Sequence, residues 1–290
     1  MSRLSIAPSA ITLAALAFSS PSYARSLPSD FTSEIRALEA RTAAQIGVAL
    51  TRANGNVIRS YRGEQRFAMC STFKLPLAAM ALAQSRAGQY SLQSRLNFTA
   101  SDLDEYAPVA RRYLATGHMT VWEAVQATVQ LSDNTAANLL LRNAGGPSRL
   151  TKYFREWKDG TSRLDRNEPT LNTNIAGDLR DTTTPVAISR MTGRLVFGSI
   201  LQPADRDRLQ RLLIGNQTGD KSIRAGVPLN WTVGDKTGSC ERGGRNDLAF
   251  LNTDKAQKYV LAVYVNAPTL SAEDRDKLIA DVAKLSVSAL

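Results

Sequence analysis

Four short clusters of polar residues carry side chains able to do covalent chemistry. Ser71-Thr72-Phe73-Lys74 sets a hydroxyl and an amine three residues apart. At the start of a helix that spacing puts both on one face, within reach of each other, so the amine can take the hydroxyl's proton with no imidazole present, and the helix end favours anionic charge forming nearby. Alone the motif says little, because Ser-x-x-Lys arises about once by chance in a chain of this length. Ser132-Asp133-Asn134 offers a hydroxyl for proton transfer beside an amide that can grip a carbonyl, or a plain helix N-cap. Lys236-Thr237-Gly238 falls in a β-like run, where Lys and Thr can hold an anion and Gly admits a ligand closely; a plain turn is the alternative. In Arg166-Asn167-Glu168-Pro169-Thr170-Leu171-Asn172, Glu168 and Asn172 can jointly hold a water for general-base attack, or the segment is a solvated surface loop.

The histidine count narrows the chemistry. His118 is the only one, and both a Ser-His-Asp triad and multi-histidine zinc sites need imidazole at a fixed place. It lies in the turn Ala115-Thr116-Gly117-His118-Met119, which reads as a surface or capping position. Acid–base work therefore falls to Lys, Glu, Asp or Ser, and no metal or organic cofactor is expected.

The elements that must position these clusters follow from periodicity. Residues 30–42 place Phe31, Ile35 and Leu38 at helical spacing behind an acidic first turn. Runs 45–52 and 56–62 are β-type, joined by the hairpin signal Ala53-Asn54-Gly55. Helical patterns cover 71–86, 121–129, 135–143 and 184–196, broken by Gly and Pro. Strands return at 231–237, 247–252 and 259–266, and a helix over 272–285 closes the chain. Strands at both ends around a helical middle imply an α/β (α+β) architecture: an antiparallel sheet completed by distant segments, flanked by helices, with a helical lobe beside it. The cleft between the lobes is the expected site.

Composition bounds the setting. Arg3, an apolar run from Ile11 to Phe18 and the small-residue Ser22-Tyr23-Ala24 have the three-part form of a secretory signal, cleaved after Ala24. The run is too short for a bilayer span. About 266 residues then remain, enough for one large catalytic domain over 25–290, with an α/β lobe of about 25–65 and 214–290 and a helical lobe of about 66–213. The periplasm or the exterior is the expected location, and a monomer the expected state, for want of an exposed apolar stripe or heptad. The net charge of +10 raises the question of nucleic acid, but basic residues are scattered with no interleaved aromatics, so no nucleic-acid partner is expected. The charge suits solubility and attraction of small anions.

The four clusters, in this order and at these separations, strongly resemble the class A serine β-lactamases of the penicillin-recognising superfamily, over essentially the whole chain after the signal. The resemblance implies a five-stranded antiparallel sheet and hydrolysis of β-lactams through an acyl-enzyme on Ser71. Lys74 and Glu168 would handle the serine proton, with either as the acylation base. Ser132 would pass a proton to the lactam nitrogen, and Glu168 with Asn172 would activate the deacylating water. Asn134 would bind the substrate's side-chain amide. Lys236, Thr237, Ser239 and Arg245 would hold the ring carboxylate, and the backbone N–H groups of Ser71 and Ser239 would form the oxyanion hole. Tyr106 resembles the aromatic gatepost of the cleft, and Arg166 with Asp181 the ion pair that closes the Glu168 loop. Cys70 and Cys240, the only cysteines, each adjoin one of the implied oxyanion donors, so a Cys70–Cys240 disulfide is expected. That pair marks the carbapenem-hydrolysing members, although Ser222-Ile223 stands where they carry a further arginine, which leaves Arg245 to substitute. The rival readings are a penicillin-binding peptidase, against which Glu168 and Asn172 argue, and a β-lactam sensor domain, which needs a membrane segment.

Overall fold

The computed structural model describes residues 30–288 and 290, so the expected signal segment lies outside the described residues. In chain order the elements are α1 (Phe31–Thr42), β1 (Gln45–Arg52), β2 (Val57–Tyr61), β3 (Phe67–Ala68), α2 (Lys74–Arg86), β4 (Arg95–Asn97), β5 (His118–Thr120), α3 (Val121–Gln130), α4 (Asn134–Ala144) and α5 (Pro147–Glu156). They continue with β6 (Thr182–Thr183), α6 (Pro185–Val196), α7 (Pro203–Ile214), α8 (Ile223–Gly226), β7 (Thr232–Ser239), β8 (Gly244–Asn252), β9 (Lys258–Asn266) and α9 (Ala272–Val287).

The five long strands form one antiparallel sheet in the order β2-β1-β9-β8-β7. β9 sits at its centre because the chain's two ends meet there, and its side chains serve two cores by strict alternation. Tyr259, Leu261, Val263 and Val265 pack with Ile35 and Leu38 of α1 and Leu278, Ile279 and Val282 of α9. Val260, Ala262 and Tyr264 face the opposite way, into a larger core with Phe73, Leu77, Leu139, Ile188 and Leu195 of the helical lobe. With both faces covered, the sheet strands read as continuous apolar runs, unlike an antiparallel sheet with one wet face.

Local signals fix the helix ends that matter for the site. Thr120 and Glu123 form a reciprocal capping box on α3. Asp133 caps α4 by accepting from Ala136 N at 2.8 Å, and α4 ends on Gly145 in the left-handed region, φ 100°. Pro147 and Pro203 open α5 and α7 at the first turn, where a missing N–H costs nothing.

Three expected boundaries move. The helix expected from residue 71 begins as a 3-10 turn, Cys70–Phe73, and turns α-helical only at Lys74. β7 runs on to Ser239 and β8 starts at Gly244, because Arg242 (φ 55°) and Gly243 (φ 76°) take left-handed conformations that close a tight hairpin. Arg245 therefore lies on a strand, paired with Ser239. Helices α5, α7 and α8 and the short pairs β3–β6 and β4–β5 were not anticipated.

Candidate active site

Ser71 sits at the junction of the two lobes, in the 3-10 turn that leads into α2. The turn is clamped from three sides. Met69 N donates to Asp181 O at 2.8 Å, Asn246 Nδ2 on β8 donates to Ala68 O at 2.9 Å, and the Thr72 hydroxyl meets the Tyr264 hydroxyl on β9 at 2.8 Å. Cys70 is held at φ 47°, a conformation that non-glycine residues adopt at an energetic cost and that surrounding contacts must enforce. Strand β7 passes directly beside it. A Cβ added to Gly238 would stand 3.0 Å from Ser71 N and 3.1 Å from Cys70 Cβ, so only glycine lets the strand lie this close.

Among the described residues no hydrogen bond joins Ser71 Oγ directly to Lys74 Nζ. Ser71 Oγ lies 3.4 Å from Glu168 Oε1, to which it donates. Lys74 Nζ instead reaches Asn134 Oδ1 at 2.6 Å, Ser132 O at 2.8 Å and Glu168 Oε1 at 3.0 Å. Ser71 and Lys74 thus meet through a shared oxygen of Glu168. Glu168 and Lys74 have fully buried side chains, and each is satisfied by the other and by amides, as buried charges must be.

Glu168 is delivered by the 165–181 loop. Its second carboxylate oxygen accepts a short hydrogen bond from Asn172 Nδ2, and the Glu168–Pro169 peptide is cis. Arg166 Nε pairs with buried Asp181 at 2.6 Å, while Asp181 also accepts from Asp165 N and Arg166 N, so the two ends of the loop are tied together. Sequence reasoning missed Asn138, whose side chain clamps the Glu168 backbone from both sides: Glu168 N donates to its Oδ1 at 3.0 Å, and its Nδ2 donates to Glu168 O at 2.9 Å. The signal was available, since Asn134 and Asn138 stand four residues apart on one face of α4.

Ser132 lies between two lysines. Its Oγ is 3.4 Å from Lys74 Nζ and 3.1 Å from Lys236 Nζ, and its own φ of 57° is left-handed. Asp133 holds this bend: besides capping α4 it accepts from Val109 N and Ala110 N at 2.8 and 2.9 Å. Lys236 is fully buried on β7. Burial, and next the nearby Lys74 charge, push its ammonium down to about 7.

The outer part of the cleft, a cavity of about 370 Å3, brings together Ser71, Tyr106, Ser132, Asn134, Asn172, Thr237, Ser239 and Arg245, with Thr218 added. The Thr237 and Thr218 hydroxyls share a hydrogen bond at 2.5 Å. Tyr106 is half exposed at the rim. Arg245 donates to Ser239 Oγ at 2.8 Å and pairs through Nε with Asp276 Oδ1 at 2.6 Å. Asp276 also accepts from the Ser222 hydroxyl at 2.8 Å, so the position without the extra arginine helps hold Arg245. A second unanticipated carboxylate is Asp104, which accepts from Asn134 Nδ2 at 2.9 Å. His118 stands apart at the start of β5, its Nδ1 on Thr116 O.

Cys70 and Cys240 are bonded, with Cα atoms 5.5 Å apart across 170 residues of sequence. Among the described residues no group of three or more His, Cys, Asp and Glu is placed to hold a metal, and no helix is long and apolar enough to cross a membrane.

The arrangement joins a hydroxyl, a buried carboxylate, two lysines and a set of anion-binding donors in one cleft, which is equipment for nucleophilic acyl transfer on an anionic substrate. Comparisons agree with that chemistry. Residues 30–290 match the family described as the beta-lactamase enzyme family. The chain is 43% identical over 253 residues to beta-lactamase OXY-2 of Klebsiella oxytoca, covering 87% of each chain. It is 42% identical over 267 residues to beta-lactamase CTX-M-8 of Citrobacter amalonaticus, covering 92% of this chain and 91% of that one. Among solved structures, the class A β-lactamase of the last common ancestor of Gram-negative bacteria superposes with a TM-score of 0.86 at 44% identity, covering 89% of this chain and 98% of that one. A putative class A β-lactamase, PenP, from Rhodopseudomonas palustris does so at 0.86 and 41%, covering 90% and 99%. With its fold, its cleft and its relatives in agreement, the chain belongs to the β-lactamase enzyme family, as a class A β-lactamase.

Proposed function

We propose that the protein hydrolyses the β-lactam amide of penicillins, cephalosporins and carbapenems through a Ser71 acyl-enzyme, and that it confers resistance to them. The observation that carries this reading is the position of Glu168, with one oxygen shared by Ser71 Oγ and Lys74 Nζ and the other held by Asn172. Glu168 takes the Ser71 proton as Oγ attacks the lactam carbonyl. Lys74 stands against the same Glu168 oxygen and against Ser132, placed between the base and the proton donor. The lactam C–N bond then breaks, and Ser132, between the two lysines, passes its proton to the departing nitrogen; Lys74 reprotonates Ser132 and takes in return the proton that Glu168 received from Ser71, which leaves Glu168 a carboxylate again. A water held by Glu168 and Asn172 attacks the ester, Glu168 takes its proton, and Ser71 leaves with one.

In this reading Asn134 donates to the substrate's side-chain amide, and Lys236, Thr237, Ser239 and Arg245 hold its carboxylate. Tyr106 walls the rim. The backbone N–H groups of Ser71 and Ser239 receive the oxyanion, a role supported by the close passage of β7 past Ser71. The disulfide supports carbapenem turnover by pinning the two chain segments that carry those donors. We read residues 25–290 as one catalytic domain that acts as a monomer, exported by the segment 1–24 to the periplasm or the exterior.

The test is hydrolysis of a chromogenic cephalosporin by the purified protein, with mass spectrometry of the same mixture for an adduct on Ser71. Many turnovers with a transient adduct are expected, and carbapenems follow as the next substrates. A stoichiometric adduct that persists would show that Glu168 does not deacylate, and a cell-wall peptidase or sensor would replace this reading.

A further inference from the structure

Behind the loop that carries Glu168 lies a further cavity of about 590 Å3, larger than the outer part of the catalytic cleft. One wall is the loop itself, from Leu171 to Arg180, and the opposite wall is the body of the protein at β3 and the adjoining ends of β1 and β9. Four guanidiniums line it, those of Arg66, Arg166, Arg180 and Arg242, against the single carboxylate of Asp178.

The guanidiniums are not equally occupied. Arg166 is paired with Asp181, and Arg180 with Asp178 at 2.8 Å. Arg66 and Arg242 form no ion pair among the described residues. Arg66 donates to the Thr182 hydroxyl at 2.9 Å, and Arg242 donates through Nε to Thr173 O at 3.2 Å. A guanidinium has five N–H donors in a planar fork suited to carboxylate and phosphate oxygens. Side-chain amides of Gln45, Gln65, Asn174 and Asn266 border the same space. It is a roomy cavity with an excess of unpaired positive charge.

We infer that this cavity is a binding site for a small multivalent oxyanion, a polycarboxylate or a phosphate, separate from the catalytic cleft. Such an anion engages Arg66 on the body and draws on Arg242 and the loop arginines, so it ties the 165–181 loop to the body. The wall it braces is continuous with the catalytic residues. Leu171 borders the cavity, its neighbour Asn172 accepts from Glu241 N at 3.0 Å through its carbonyl, and Asn174 Nδ2 bridges to Glu241 O and Asn266 Oδ1 at 3.2 and 2.9 Å. The binding stands independently of the reaction proposed above; only an effect on turnover rests on that reading.

The purified protein is titrated with citrate and with inorganic phosphate, against sodium chloride at matched ionic strength, while amide hydrogen exchange of residues 170–181 is followed. Saturable slowing of exchange confined to this loop is expected with citrate and phosphate and not with chloride. Arg66→Gln weakens citrate binding about tenfold, the effect of losing one charged hydrogen bond, and Arg242→Gln serves as a second variant of the same site. Arg245→Gln, which alters the catalytic cleft, leaves the loop protection intact. Equal protection by chloride, or an unchanged citrate curve in both Arg66→Gln and Arg242→Gln, overturns the inference. Protection lost in Arg245→Gln and kept in Arg66→Gln puts the anion in the catalytic cleft and overturns it too.

Discussion

Asp104 acts on substrate through neighbours that the sequence motifs name, whereas Lys236 is itself a motif residue. Asp104 Oδ1 accepts from Asn134 Nδ2 and from Tyr106 N at 3.0 Å, while Asn134 N donates to Tyr106 O at 3.0 Å. The turn bearing the rim tyrosine and the amide that meets the substrate are thereby one unit, and the carboxylate decides which way the Asn134 amide is turned. Asp104→Ala is expected to raise KM for benzylpenicillin about tenfold, a charged hydrogen bond being worth roughly 1.5–3 kcal/mol. KM for 6-aminopenicillanic acid, which has no acyl side chain, is expected to hold. Equal losses on both compounds would reduce Asp104 to a fold-stabilising residue. Lys236 gives a pH signature. Its ammonium, pushed down to about 7 by burial and by Lys74, is charged below that pH and neutral above it. A bound carboxylate favours the charged form, so kcat/KM for anionic β-lactams falls as pH rises through about 7, approaching tenfold per unit, while kcat changes less. Lys236→Arg keeps its charge and should move that fall to higher pH; a pH–rate profile unchanged in the arginine variant assigns the titration elsewhere.

At the scale of elements, the 165–181 loop depends on α4. Asn138 alone satisfies both the N–H and the C=O of Glu168. Asn138→Ala leaves two backbone groups to find water in a half-buried place, at about 1–3 kcal/mol each. It also frees Glu168 to drift from Ser71. A fall in kcat of at least tenfold, with far-UV circular dichroism unchanged, is the expected outcome, measured by steady-state turnover of a cephalosporin; retention of full kcat would mean that Asn172 and the Arg166–Asp181 pair hold Glu168 unaided. Asn138 also marks how far the sequence could be read. Strands β1 and β9 and helices α1 and α9 were legible because alternation and helical spacing are local. The cleft motifs were legible because each keeps its chemistry in a short run. The pairing of Cys70 with Cys240 was legible through the oxyanion donors that the family resemblance implies beside them. What could not be read is which side chain fills which neighbour's valences, because that depends on contacts far apart in sequence, Glu168 to Lys74 and Asp276 to Arg245 among them. Helix α5 is a different case: Leu150, Tyr153, Phe154 and Trp157 hold helical spacing behind Gly146-Pro147, so its signal was present. In α7 the charges of Asp205 to Arg208 dilute the pattern of Leu209, Leu212 and Leu213.

At the scale of the whole molecule the sheet must carry one core on each face and a charged cleft at its edge, and the cost shows in two carboxylates behind β7. Asp235 accepts from Arg224 Nε and from Asn216 Nδ2 at 2.5 and 2.6 Å. Asp247, fully buried one strand away, has one oxygen on Ile223 N at 3.0 Å and another with no donor. Burial, and then the charge of Asp235, raise Asp247 well above the usual carboxylate range, so we take it to be the neutral member of the pair, its proton turned toward Asp235. The sign follows by linkage. An unfolded chain releases that proton above the ordinary Asp value near 3.9, whereas the folded protein keeps it, so Asp247 makes stability fall as pH rises through the window above that value, by up to about 1.4 kcal/mol per unit. Asp247→Asn preserves the shape and an N–H toward Asp235 but cannot ionise. It should therefore flatten the pH dependence and leave the variant more stable than the parent at pH 8 relative to pH 5. Guanidinium unfolding of both proteins between those pH values, with the Cys70–Cys240 bond intact, measures the difference directly. Parallel stability curves would mean that Asp247 is ionised inside the fold, with Arg245 and Lys236 supplying the compensating charge.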